Sequence, residues 1–325
     1  MNILVTPPVN ETHRALLESA WPGAEFSYIR SKELTHADVL AADAIVGNVP
    51  PAFLAWADRL RFLQLGSAGT EGFPEALPAG AKLANASGAY GLAISEYMLA
   101  QLFAILKKHY IYYDNQRESL WRDEGPVTSV YGATVLSVGM GDIGGEFLKK
   151  CKALGAHTIG VCRSAHEKPE FCDELYTLAD LDGLLPRADA VALSLPASPE
   201  TVGLMDARRL GLMKPGAALI NVGRGSAIVT DDLIEAASAG RVRAALDVTD
   251  PEPLPPEHPL WRTPNVYITP HISGFFHLEE TLNRIIRIGA ENLRRLRMGE
   301  ELLNLVDPET GYRKAENRAK GFYER

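Results

Sequence analysis

A short apolar run that passes straight into a glycine-spaced turn and then a helix constrains this chain more than any other feature. Thr134, Val135, Leu136, Ser137 and Val138 read as a strand, Gly139-Met140-Gly141-Asp142-Ile143-Gly144 as the turn, and residues 143–154 as a helix. The three glycines serve different physical ends. Gly139 allows the tight turn, Gly141 lets a ligand approach the backbone, and Gly144 lets helix and strand pack closely. The helix start then offers free N–H groups and a positive dipole end to phosphate. A further strand at Thr158 completes the strand–turn–helix–strand context of a dinucleotide site, so Gly139, Met140, Gly141, Asp142, Ile143 and Gly144 are taken as cofactor-contacting positions.

The same alternation runs along the whole chain. Ile3-Leu4-Val5, Ala44-Ile45-Val46 and Phe62-Leu63-Gln64-Leu65 read as strands, with helical spacing at Glu11–Ala20 and at residues 51–58 between them. A second series gives strands at Thr134–Val138 and at residues 158–161, 190–195, 218–222, 244–247 and 266–268. These six strands suit a doubly wound nucleotide domain. Two long helices join the series, one from Ile94 and one from His277 that stops at Gly299 as a C-cap. The tail 302–306 is expected to pack back on the first series. At 325 residues two domains are the prior expectation, joined by helices with a cleft between them. Phe53, Trp56 and Phe73 are assigned to core packing rather than to a substrate pocket.

Composition excludes several classes. A net charge of −8 argues against a nucleic-acid partner, and no apolar run is long enough for a membrane span. Cys151, Cys162 and Cys172 are too few and too scattered for a disulfide framework or a zinc site, so no metal and a reducing cytoplasm are expected.

The strand after the glycine turn refines the cofactor. A dinucleotide site commonly places Asp or Glu there, to accept from the ribose hydroxyls. Here residues 157–162 lead into Arg163-Ser164. A guanidinium at that point pairs with a 2′-phosphate, and Ser164 can donate a further hydrogen bond. NADP(H) is therefore expected over NAD(H), which stays possible.

Three later segments carry ionisable groups at strand ends, where open α/β sheets hold ligands: Asn221-Val222-Gly223-Arg224-Gly225-Ser226, Asp247-Val248-Thr249-Asp250-Pro251-Glu252-Pro253 and Thr269-Pro270-His271-Ile272-Ser273-Gly274. The glycines beside Arg224 read as room left for a ligand. In this order after a dinucleotide turn, the segments resemble the D-isomer-specific 2-hydroxyacid dehydrogenase family, on its glyoxylate/hydroxypyruvate reductase side. The resemblance covers nearly the whole chain and is strongest over residues 132–274. It includes Gly66-Ser67-Ala68-Gly69, Asp231-Asp232-Leu233, Asn304-Leu305-Val306-Asp307 and residues 213–221. It departs at Tyr131-Gly132-Ala133, where the family has a glycine followed by a basic residue.

The resemblance implies an α/β fold of two doubly wound parallel-sheet domains, a Rossmann nucleotide domain (residues 99–290) inserted in a flavodoxin-like substrate domain (residues 1–98 and 291–325). It implies Arg224 as substrate-binding arginine, Glu252 as catalytic glutamate and His271 as acid/base histidine. Reduction of a 2-keto acid needs a proton donor at the oxygen while hydride reaches the carbon, and an imidazolium supplies it. Glu252 on the other ring nitrogen would orient the ring and favour its charged form. Arg224 would grip the carboxylate or keto oxygen. Ser67, Ala68 and Gly69 would present N–H groups to the substrate carboxylate. Asp247 would accept from the nicotinamide carboxamide, and Pro196, Val222 and Gly274 would also line the cofactor. A homodimer around the long crossover helix is implied as well. Two other readings are NAD-linked oxidation of a D-2-hydroxy acid, phosphoglycerate-like substrates included, and a dinucleotide-sensing, corepressor-like binding protein.

Overall fold

Strands buried on both faces of a parallel sheet carry uninterrupted apolar runs. In the computed structural model of the chain, which describes residues 1–163 and 167–308, Ala44–Val46, Phe62–Gln64, Ala190–Leu193 and Ala217–Asn221 are buried at every position. The first sheet contains β1 (Asn2–Val5), β2 (Glu25–Tyr28), β3 (Ala44–Val46), β4 (Phe62–Gln64) and β5 (Lys82–Ala84), all parallel, in the order β2-β1-β3-β4-β5. That is the flavodoxin-like order.

The second sheet contains β6 (Thr134–Val138), β7 (His157–Cys162), β8 (Glu174–Thr177), β9 (Ala190–Leu193), β10 (Ala217–Asn221), β11 (Val242–Leu246) and β12 (Val266–Ile268). Its order is β12-β11-β10-β9-β6-β7-β8, again all parallel. The order reverses between β6 and β9, and crevices of open α/β sheets form outside the strand ends at such a reversal. The turn from Gly139 leaves β6 at that point.

Among the described residues the second sheet holds seven strands where six were expected. The additional strand, β8, lies at the sheet edge and is half-buried throughout, so it has no apolar run to betray it. Edge strand β2, alternately exposed and half-buried, escapes for the same reason. Residues 51–58 do not form the expected helix: only Pro51–Leu54 turn, as a 3₁₀ element. Trp56 corrects a further expectation, since it is 81% exposed, whereas Phe73 is buried and Phe53 packs against the same core.

The chain divides into two compact units, one of Met1–Tyr90 with the residues from Phe276 onward, the other Gly91–Phe275. The borders expected from sequence fall after residues 98 and 290. The helix Glu279–Met298 joins the first unit because Leu282, Ile286, Ala290 and Leu293 share a core with Ile3, Val5 and Phe62. It ends on Gly299 at φ 70°, a left-handed C-cap. Beyond it Leu302 and Val306 are buried in the same unit, and Leu305 bridges antiparallel to Ala84. In the second unit the helix Gly91–Leu106 packs on the helix Asp142–Ala153 that follows the glycine turn. Among the described residues no helix is long and apolar enough to cross a membrane.

Candidate active site

The glycine turn shows which of its residues the protein itself requires. Gly139 has φ 107°, and a Cβ there would stand 2.8 Å from both the carbonyl and hydroxyl oxygens of Ser194. A Cβ on Gly144 would collide with the Gly139 carbonyl and lie 2.6 Å from Ser137 Oγ. Gly141 differs: it is exposed, an added Cβ meets nothing within 4 Å beyond its own chain neighbours, and no side chain caps the helix that starts after it. An open glycine before uncapped helical N–H groups fits a dinucleotide pyrophosphate. Asp142 is engaged within the protein, its Oδ2 accepting from Gly91 N at 2.7 Å. The Met140 side chain lies over Gly160 on β7, where a Cβ would stand 2.7 Å from the Met140 sulfur.

At the end of β7, Arg163 is exposed. The Glu200 carboxyl is held below its usual range by the Ser198 hydroxyl and also by the Arg163 charge. Ser164, paired with Arg163 in the sequence reading, lies outside the described residues. Pro196 is exposed just after β9, and its carbonyl accepts from Thr201 Oγ1 at 2.8 Å.

After β10 the backbone is folded by Asn221, whose Oδ1 accepts from Gly223 N at 3.0 Å and whose Nδ2 donates to the Arg224 carbonyl at 2.9 Å. The glycines beside Arg224 do not serve to leave room for a ligand. A Cβ on Gly223 would be 2.5 Å from the Leu195 carbonyl oxygen, and one on Gly225 would run into the Thr249 backbone. Neighbouring main chain fills that space. Arg224 is half-buried and donates from a terminal nitrogen to the Gly223 carbonyl at 2.8 Å. Val222 is buried and Gly274 half-buried.

The loop after β12 brings two of the predicted residues together. His271 Nδ1 lies 2.6 Å from Glu252 Oε1, with both side chains close to half exposed. His271 takes a left-handed φ of 52°, uncommon for a residue other than glycine. Asp247, 1% exposed, holds this loop. Its Oδ1 accepts from Thr269 Oγ1 at 2.6 Å and Ile272 N at 2.9 Å, and its Oδ2 from Ser273 N at 3.0 Å and from the Ser273 hydroxyl. Four protein donors fill the capacity of a carboxylate, so the partners of Asp247 are loop groups rather than the open acceptor that the sequence reading gave a carboxamide. Tyr97 lies 2.6 Å from Thr269 Oγ1 and extends this network.

In the other unit, Ser67, Ala68 and Gly69 follow β4 and are half-buried or exposed. Asn48 shapes that loop, its Oδ1 accepting from Gly66 N at 2.8 Å and its Nδ2 donating to Ser67 Oγ at 3.0 Å. Asn85 Nδ2 donates to the Ala68 carbonyl at 2.8 Å, and the Tyr90 hydroxyl donates to the Gly66 carbonyl. Asn48, Asn85, Tyr90, Tyr97 and Ser273 have no role assigned from sequence, because each matters only through a partner distant in the chain. The one local signal was Asn48, an Asn after a glycine at a strand end. Among the described residues no cluster of His, Cys, Asp and Glu could hold a metal ion, and all three cysteines are buried free thiols.

Fold and glycine turn together define a doubly wound protein with a dinucleotide loop and an imidazole–carboxylate pair. The family model described as "D-isomer specific 2-hydroxyacid dehydrogenase, NAD binding domain" matches residues 99–273. A glyoxylate/hydroxypyruvate reductase A of Serratia proteamaculans is 32% identical, covering 83% of this chain and 87% of its own. A crystal structure of a family protein from Aeromonas salmonicida superposes with a TM-score of 0.83 at 32% identity, covering 94% of this chain and 99% of that one. An NADPH-dependent glyoxylate/hydroxypyruvate reductase of Sinorhizobium meliloti, solved with NADP and sulfate, gives a TM-score of 0.81 at 27% identity, covering 96% and 99%. The chain belongs to the D-isomer specific 2-hydroxyacid dehydrogenase family, a class of NAD(P)-dependent dehydrogenases and reductases.

Proposed function

We propose that the protein reduces a small 2-keto acid of the glyoxylate or hydroxypyruvate kind with NADPH. The observation that carries this reading is the 2.6 Å contact between His271 Nδ1 and Glu252 Oε1. A carboxylate can only accept there, so Nδ1 bears the proton and Nε2 is left as the exchanging nitrogen. Charged, His271 donates from Nε2 to the oxygen of the keto group; neutral, it takes that proton back in the reverse direction. Glu252 holds the ring in orientation and balances its charge. Arg224 offers a bidentate fork to the substrate carboxylate or keto oxygen. Ser67, Ala68 and Gly69 complete the proposal as carboxylate-binding residues.

When bound, the nicotinamide supplies the hydride. Gly139, Met140, Gly141, Ile143 and Gly144 form the turn proposed to hold the pyrophosphate, with Asp142 supporting it through Gly91. Pro196, Val222 and Gly274 are assigned to the cofactor's surroundings, while Asp247 serves by holding the His271 loop. Arg163 is proposed as the 2′-phosphate ligand. The reductases from Serratia and Sinorhizobium, the latter named as NADPH-dependent, support the substrate and cofactor readings. A second reading, NAD-linked oxidation of a D-2-hydroxy acid, is favoured by one observation: Glu200 already supplies Arg163 with a negative neighbour.

The test is a panel of small 2-keto acids against NADPH and NADH, followed at the reduced-nicotinamide absorbance. Turnover of glyoxylate or hydroxypyruvate with higher kcat/KM for NADPH is expected. No turnover with either cofactor would reject the enzyme reading for the corepressor-like one.

We also propose a homodimer, because Tyr113, Leu120, Trp121, Val127 and Tyr131 expose apolar side chains within one short stretch. Light scattering checks this. The buried free thiols suit a reducing cytoplasm.

A further inference from the structure

We propose that Tyr97 is a positioning residue for His271, acting through a one-way chain of hydrogen bonds from Tyr97 to Thr269 to Asp247. The inference rests on the reading that His271 is the acid/base group. Thr269 Oγ1 lies 2.6 Å from Asp247 Oδ1 and 2.6 Å from the Tyr97 hydroxyl, yet it carries a single proton. The buried Asp247 carboxylate only accepts, so Thr269 donates to it and Tyr97 must donate to Thr269. Burial, together with the nearby Asp247 charge, pushes the Tyr97 hydroxyl above its ordinary range, which keeps it a donor. Gln101 and Tyr110 are its other close polar neighbours. The direction of the chain is therefore fixed at both ends.

Beyond Asp247 the chain reaches the main chain around His271. The same carboxylate accepts from the Ile272 and Ser273 N–H groups, and the Asp247 carbonyl accepts from His271 N at 2.8 Å. His271 is held at φ 52°, a conformation that persists where its surroundings over-determine it. Removing the Tyr97 hydroxyl leaves Thr269 Oγ1 without its donor and free to turn from Asp247. One of the four groups tying the loop is then loosened. The helix Gly91–Leu106, which carries Tyr97, thereby sets the direction in which the imidazole points.

Tyr97→Phe keeps the ring and removes only the hydroxyl. The expected result is a kcat lower by roughly ten-fold, inside the hundred-fold that a misplacement of about 1 Å can cost, with KM for the keto acid and Kd for NADPH within about two-fold. Thr269→Val should lower kcat similarly and Thr269→Ser should restore it. The double variant Tyr97→Phe/Thr269→Val should lose no more than Thr269→Val alone, because the two act as one unit. Hydrogen exchange at the Ile272 and Ser273 amides should speed up in Tyr97→Phe, a readout that needs no turnover. Unchanged kcat with unchanged exchange at these amides overturns the inference, as do additive losses in the double variant. If instead the wild-type chain turns over no keto acid but the exchange still responds, the functional reading fails and the positioning chain stands.

Discussion

Substituting Gly141 by alanine separates cofactor binding from folding. The residue has φ −77° and ψ −160°, which alanine adopts without strain, and its Cβ would meet nothing within 4 Å beyond its own chain neighbours. By restricting the unfolded chain, the methyl should stabilise the fold by about 0.4–1 kcal/mol. In a unit of this size each kcal/mol moves the midpoint by about 2–4 °C, so Tm should rise by roughly 1–4 °C. The same methyl stands where a pyrophosphate would approach the first N–H groups of the helix. Hydrogen bonds to a charged group contribute about 1.5–3 kcal/mol, so loss of one weakens the Kd for NADPH roughly 10- to 150-fold. Gly144→Ala is the control: its Cβ would lie 2.6 Å from Ser137 Oγ and 2.8 Å from Ser194 Oγ. Overpacking of that kind costs about 1–3 kcal/mol or more, a drop of roughly 2–12 °C. Titration calorimetry with NADPH and thermal melts of both variants give the two readouts. An unchanged Kd in Gly141→Ala would remove the pyrophosphate from this turn, and a Tm several degrees lower would mean that Gly141 is there for packing.

Three further outcomes are expected. His271→Asn should lower kcat by about 10²–10⁴ while NADPH still binds, the range that general acid catalysis contributes; turnover persisting at neutral pH would assign the proton to another group. Arg163→Asp should move the NADPH/NADH ratio of kcat/KM roughly 10- to 150-fold toward NADH, on the scale of one charge-assisted hydrogen bond; an unchanged ratio would take Arg163 out of the phosphate site. Asp173, Glu174 and Asp182 are lowered to about 2, chiefly by Lys152, Arg187 and Arg208 respectively. A carboxyl depressed in the folded state contributes stability above its unfolded value and loses it as pH falls toward the folded one. Tm should therefore hold between about pH 7 and 5 and fall as pH drops from about 4.5 toward 2; a Tm flat down to pH 3 contradicts these pairs.

Much of the fold was legible because parallel strands buried on both faces write themselves as apolar runs. Ala217–Asn221 and Ala190–Leu193 are of that kind. Glu25–Tyr28 and Glu174–Thr177 are not, since each lies at a sheet edge with side chains partly in solvent. Trp56 shows the opposite failure: its composition reads as core, yet it is exposed at φ 69°. Within the site, Gly139, Gly141 and Gly144 could be named from their spacing alone. Their differing roles emerge only from what surrounds each one.

By itself the sequence determined the turn from Gly139 to Gly144, the alternation that builds two parallel sheets, and the residue types gathered at the strand ends. Those are consequences of local geometry, with every interacting group a few residues from the next. Tertiary structure alone decided that Gly223 and Gly225 make way for backbone rather than ligand, that Glu252 meets His271 at 2.6 Å, and that Asp247 spends its acceptors on the His271 loop. Each of these depends on chain segments separated in sequence, and which donor fills which lone pair is settled only when the strands have packed side by side.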